Sequence, residues 1–218
     1  MNPIEKSIVS LDWMTLVLFS SLVLLAIGKY WYSSKFLNFI ILPFNDKYVL
    51  LNSKKGPLLN WFHILMSIFQ LLNLSLFIFL ALRAFDVMPQ GDPVFTFLIV
   101  LGALALFEFA KLLLQSFTGY VFNNQEFILG IIFSKTSYLN YSSIVIALAN
   151  ILLIYVLINS KAMIYVAISF IILINGIGTI KLLKNHQKAM FPYFVYFILY
   201  LCALEIAPLV LIGSYLKV

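Results

Sequence analysis

Charge is what this sequence has least of. Only 10% of its 218 residues are Asp, Glu, Lys or Arg, whereas soluble domains carry roughly 25%. Hydrophobic residues make up 63% of the chain and the mean hydropathy is +1.05, so its solvent is a bilayer rather than water. The single cysteine, Cys202, sits in an apolar stretch and excludes an intramolecular disulfide. Arg83 is the one arginine; an enzyme that clamps a lipid phosphate or pyrophosphate ordinarily does so with bidentate guanidinium groups. His63 and His186 stand far apart, with no cysteine or carboxylate cluster at ligand spacing, so neither a metal nor a cofactor is expected. A Gly-x-Ser-x-Gly elbow and a Gly-Lys phosphate loop are also missing.

What is present is a succession of long apolar runs. A hydrocarbon core about 30 Å thick takes about 20 apolar residues per helix, and six runs meet that length: 13–32, 58–84, 93–117, 139–158, 162–180 and 193–213. The first begins after a segment with Glu5, Lys6 and Asp12 rather than a basic leader, and is read as a retained helix. Two shorter stretches, 36–51 and 127–133, are broken or flanked by Pro43, Asp46, Lys47, Glu126 and Lys135, which reads as segments lying along an interface. The expected fold is all-α: one integral membrane domain over residues 1–218, a bundle of six transmembrane helices, or seven if the second short stretch inserts.

Charge placement orients such a bundle. Of the 14 basic residues, ten (Lys29, Lys35, Lys47, Lys54, Lys55, Lys111, Lys135, Lys181, Lys184 and Lys188) fall on or towards one side, and Lys6, Arg83, Lys161 and Lys217 on the other. Positive loops stay cytoplasmic, so both termini are expected in the periplasm. With seven helices the bias would vanish, seven against seven. The net charge of +6 is spread over short loops beside apolar runs, which suits anionic lipid headgroups rather than nucleic acid. Lys35, Lys54, Lys55, Lys181, Lys184 and Lys188 are the expected headgroup contacts.

Ionisable and amide groups inside the spans carry what chemistry there is, because a charge near the bilayer centre costs at least about 2.5–3.5 kcal/mol. Glu108 has Lys111 three residues on, one turn along the same face. The two pair, or Lys111 extends to the interface and leaves Glu108 to another helix or a ligand. Glu205 has no Lys or Arg within a turn and precedes Pro208, which frees a carbonyl near Leu204. It is either a neutral carboxyl bonded to a neighbouring helix or a group that binds a proton, an ion or a ligand. Gln70, Asn73, Asn150 and Asn175 fall near the same depth. In the second span Asn60, His63, Ser67, Gln70 and Asn73 recur on one helical face, which has to point into the bundle, either for bonds between helices or towards a hydrated cavity.

The last run, with Cys202-Ala203-Leu204-Glu205-Ile206-Ala207-Pro208-Leu209 at its centre, together with Phe44-Asn45-Asp46-Lys47-Tyr48, Asn60-Trp61-Phe62-His63, Phe69-Gln70 and Lys135-Thr136-Ser137-Tyr138, resembles the membrane proteins of the "domain of unknown function 4271" family. The resemblance implies the inner membrane of Bacteroidota-type bacteria and carries no catalytic role with it. The leading expectation for function is a non-enzymatic membrane subunit or scaffold that acts with a membrane-protein partner in the cell envelope. The alternatives are a small carrier, proton-coupled through Glu205 and Glu108, and an enzyme acting on a lipid-linked substrate.

Overall fold

The structure, a computed structural model, describes residues 12–45, 47–52, 60–89, 91–121 and 125–185. The described residues form seven helices: α1 (Asp12–Trp31), α2 (Ser33–Ile40), α3 (Lys47–Asn52), α4 (Trp61–Ala84), α5 (Pro93–Val121), α6 (Gln125–Tyr155) and α7 (Lys161–Asn185). Five of them, α1, α4, α5, α6 and α7, are long and apolar enough to cross a membrane. The expected sixth span, 193–213, lies outside the described residues.

Local chemistry sets where these helices start and stop. The Asn60 side chain accepts from Phe62 N at the head of α4. Asp92 does the same for Val94 N at 3.1 Å in front of Pro93, whose missing N–H costs nothing at the first helical position. Ser160 accepts from Met163 N ahead of α7. After α4 and α6 the chain reverses through Asp86 and Asn159, both at positive φ (59° and 58°), where a short polar side chain is the least strained choice after glycine.

One short stretch differs from expectation. Residues 127–133 are not a separate interfacial segment but the opening turns of α6, which runs unbroken for 31 residues, about 46 Å at 1.5 Å per residue. The polar residues that interrupt the hydropathy there are turned inward, with Ser134 and Ser137 buried. Thr136 and Ser137 return their hydroxyls to the Ile132 and Phe133 carbonyls, at 2.9 and 2.6 Å. A polar side chain that bonds its own helix and packs on protein leaves the helix intact even where a hydropathy window dips.

The helices alternate in direction. At one end Trp13 of α1 meets Phe79 of α4 and Phe97 of α5, with ring centroids at 5.1 and 5.3 Å, and Lys161 and Tyr165 of α7 meet the Phe85 ring. At the other end α2 and α3 are seated on the bundle. Phe39 lies 5.5 Å from Tyr48, 5.8 Å from Phe62 and 5.8 Å from Tyr141, each edge to face. The 36–51 stretch therefore has one side buried in the bundle, while Leu37, Ile40, Ile41 and Phe44 stay exposed. Its loop is tied down by Tyr138, which donates its hydroxyl to the Leu42 carbonyl at 3.4 Å, and by the Lys181 amine, 2.9 Å from the Pro43 carbonyl and 3.5 Å from that of Leu42.

Between α6 and α7 the contact is closest at Gly178, where a Cβ would collide with Cγ of Tyr138 and come within 2.7 and 2.9 Å of its neighbouring ring atoms. Those atoms sit at the root of a buried, tethered ring that cannot yield. A Cβ at Gly28 would instead meet the terminal methyl of Met66 at 2.7 Å, the mobile end of a flexible chain. Gly178→Ala should therefore cost about 1–3 kcal/mol and Gly28→Ala under about 1 kcal/mol, read by unfolding the purified protein in mixed micelles with SDS. Tyr48, in α3 outside the spans, has its hydroxyl pKa pushed up by burial. The unfolded phenol ionises at about 10, so the stabilisation is complete below that pH and is lost as pH rises above it. Alkaline titration should loosen α2 and α3, followed as increased proteolysis near residue 45, and Tyr48→Phe should abolish that sensitivity.

Candidate functional site

α4 is the centre of the bundle, in contact with α1, α5, α6 and α7. Its polar face is buried as the spacing requires: His63, Gln70 and Asn73 are each at most 3% exposed. The Gln70 amide donates from Nε2 to Oε1 of Glu108 on α5 at 2.8 Å. The Glu108 carboxyl thus bonds across to α4, while Lys111, a turn along α5, stands nearer the end of the helix. Asn150 of α6 donates from Nδ2 to the Asn73 carbonyl at 2.9 Å, and Asn140 of α6 donates to Oγ of Ser67 at 3.1 Å. Asn73 returns its own amide to the Phe69 carbonyl at 2.9 Å.

Gln70, Asn73, Glu108 and Asn150 are therefore brought together, and His63 continues their line towards the α2–α3 end. Its ring lies against Phe133, with centroids at 4.7 Å. Asn175 does not join them: its amide bonds the Ile171 carbonyl of its own helix at 2.8 Å, and Thr179 bonds Asn175 and Gly176 in turn, so 175–179 stays helical. Glu205 lies outside the described residues, as do Lys54, Lys55 and Lys188. Of the lysines expected at headgroups, Lys35 reaches Oδ1 of Asn60 at 2.9 Å and lies 5.3 Å from the Tyr32 ring centroid. Lys181 caps the α2 loop, and Lys184 is exposed.

Of the α6 half of the site, sequence reasoning picked out Asn150 and missed the rest. Ser137, Asn140, Ser143 and Asn150, each fully buried at 0% exposure, recur at three, three and seven residues, with Ala147 between the last two. This small and polar stripe lets the α6 backbone approach α4 closely. The signal was present as helical periodicity, but taking 139 as the start of the fourth span cut it in two. Among the described residues no three of His, Cys, Asp and Glu come together in a way that could hold a metal ion.

An all-helical bundle with five apolar spans and a buried polar seam is a polytopic membrane protein. The family model described as "Domain of unknown function (DUF4271)" matches residues 14–216, and the chain belongs to that family. No curated protein and no solved structure matches it.

Two of the bonds that α4 makes to its neighbours differ in consequence. The Asn73 carbonyl that Asn150 contacts lies inside α4 and keeps its helical partner when the amide is removed, whereas Glu108 without Gln70 loses the donor to its Oε1. Asn150→Leu should then destabilise by about 1 kcal/mol, within the range of bonds between membrane helices, and Gln70→Leu by about 2–3 kcal/mol, the cost of an unpaired polar or charged group. SDS unfolding of the two variants side by side checks the order.

Proposed function

We propose that this protein is a non-enzymatic subunit of the bacterial inner membrane that works by pairing with another membrane protein, with its lysine-rich end in the cytoplasm. Helix α5 carries the reading. Of its most apolar stretch 6% is buried, against 50% in α4 and 61% in α6, yet this helix, the least covered of the five described spans, holds a carboxyl. A helix that faces only lipid gains nothing from Glu108, whose charge near the bilayer centre costs at least about 2.5–3.5 kcal/mol. Gln70 supplies a donor to Oε1; a partner helix presenting an amide, a hydroxyl or a basic group would supply the rest. Phe107 and Phe109, exposed on either flank of Glu108, would form the apolar part of that contact.

Orientation is supported by charge. Lys29, Lys35, Lys47, Lys181 and Lys184 lie at the α2–α3 end, against Arg83 and Lys161 at the opposite one. That asymmetry supports a cytoplasmic α2–α3 end.

A photo-crosslinking residue at Phe107 or Phe109 should yield, in cells, a discrete adduct heavier than the chain. The same residue at Leu16 or Phe19 of α1, exposed at least as fully, should not, and Glu108→Leu should abolish the α5 adduct. Adducts of equal yield from both helices, or an α5 adduct indifferent to Glu108, would overturn the reading.

A further inference from the structure

Four side-chain atoms along the α4–α6 seam are buried with no hydrogen-bond partner: Nε2 of His63 and Oδ1 of Asn73, Asn140 and Asn150. Their residues are 3%, 1%, 0% and 0% exposed. None of this is loose surface chemistry. Each asparagine turns its nitrogen to a fixed acceptor, so each oxygen is held pointing away from it. Buried acceptors of this kind are ordinarily met by ordered water.

The spacing suits water in single file. His63, Ser67, Gln70 and Asn73 climb α4 in steps of about 6, 4.5 and 4.5 Å at 1.5 Å per residue, and one water joining two groups through bonds of about 2.8 Å spans about 5.6 Å. Asn140 stands beside Ser67 and Asn150 beside Asn73, which gives the file a second wall. A bare cation is a poorer occupant, because the acceptors are spread over several turns and alternate with donors such as the Gln70 amide and the Ser67 hydroxyl. The file begins at His63, on the lysine-rich end, and reaches Gln70 after two helical turns. Gln70 holds Glu108.

We propose that the α4–α6 seam contains a file of ordered water that carries protons from the lysine-rich end of the bundle to the carboxyl of Glu108. Each water accepts a proton from one neighbour and passes one to the next, and the last, beside Gln70, hands its proton to the Glu108 carboxylate directly, because the Gln70 amide donates a hydrogen bond but relays no proton. The Glu108 carboxylate gains a proton and becomes the acid; on the return it releases the same proton, and no other bond changes. Among the residues whose side chains are described, the charged or titratable groups on the elements packed against Glu108 are Lys111 and Tyr120 on α5 itself, His63 and Arg83 on α4, and Lys135, Tyr138, Tyr141 and Tyr155 on α6. The path holds whether or not a partner covers α5.

Infrared spectroscopy of the full chain in vesicles of phosphatidylethanolamine and phosphatidylglycerol tests this. The protonated Glu108 band, assigned by its loss in Glu108→Gln, should appear as pH is lowered. On transfer to D2O it should shift far sooner than the α4 backbone amides exchange. Asn140→Leu and His63→Phe should slow that shift roughly tenfold or more, since each tenfold corresponds to a modest added barrier. Should either variant fail to fold, Ser67→Val interrupts the same point of the file, and the wild-type comparison stands without any variant. A Glu108 band absent at every pH, carboxyl exchange no faster than that of the α4 amides, or an unchanged rate in a folded Asn140→Leu protein would each overturn the proposal.

Discussion

A polar side chain that faces hydrocarbon has no water to fall back on, so whatever α4 carries into the membrane has to be turned towards protein. That demand organises the bundle. His63, Ser67, Gln70 and Asn73 lie on one face, and the helices that answer it, α5 through Glu108 and α6 through Asn140 and Asn150, are held against it. α1 packs through apolar side chains such as Met14 and Leu18. Without a hydrophobic force between helices in lipid, such bonds and close packing decide which neighbours α4 keeps. The apolar contacts are numerous but less selective, since Leu against Leu differs little from Leu against an acyl chain.

Much of this was legible in advance because the bilayer narrows the choices. Backbone satisfaction allows only helices or a closed barrel, and apolar runs of about 20 residues can be only helices. The polar face of α4 was readable because its residues keep a helical period within one uninterrupted run. The pairing of that face was not. Nothing in the spacing of Glu108 distinguishes Lys111, one turn along its own helix, from Gln70 on another; the choice depends on which way α5 is rotated, and rotation is set by packing.

The opening of α6 was misread for a related reason. A hydropathy average treats Ser134, Thr136 and Ser137 as a break, because it assumes that the side chain meets lipid. These hydroxyls bond back to their own helix or sit buried against protein, so the helix runs through them and the stripe of Ser137, Asn140 and Ser143 emerges only when the two parts are joined. Gly178 shows the same dependence on packing: α7 comes so close to the Tyr138 ring there that a Cβ has no room.

Bonds that specify the bundle do not account for every polar atom in it. If Asn73, Asn140 and Asn150 served only to join α4 to α6, their oxygens would be a liability: each leaves an acceptor in a buried layer, at a cost of about 1–3 kcal/mol if dry, which offsets most of what its amide nitrogen contributes. Serine at the same positions would permit equally close packing and satisfy itself on its own helix, as Ser75, Ser137 and Ser143 do. Three asparagines in place of serines are therefore hard to derive from packing alone, and a hydrated seam resolves the excess because water turns each leftover oxygen into a bonded one. Glu108 sits where that seam meets the least covered of the five described spans, so a proton arriving there would change the charge beside the surface that a partner is proposed to read.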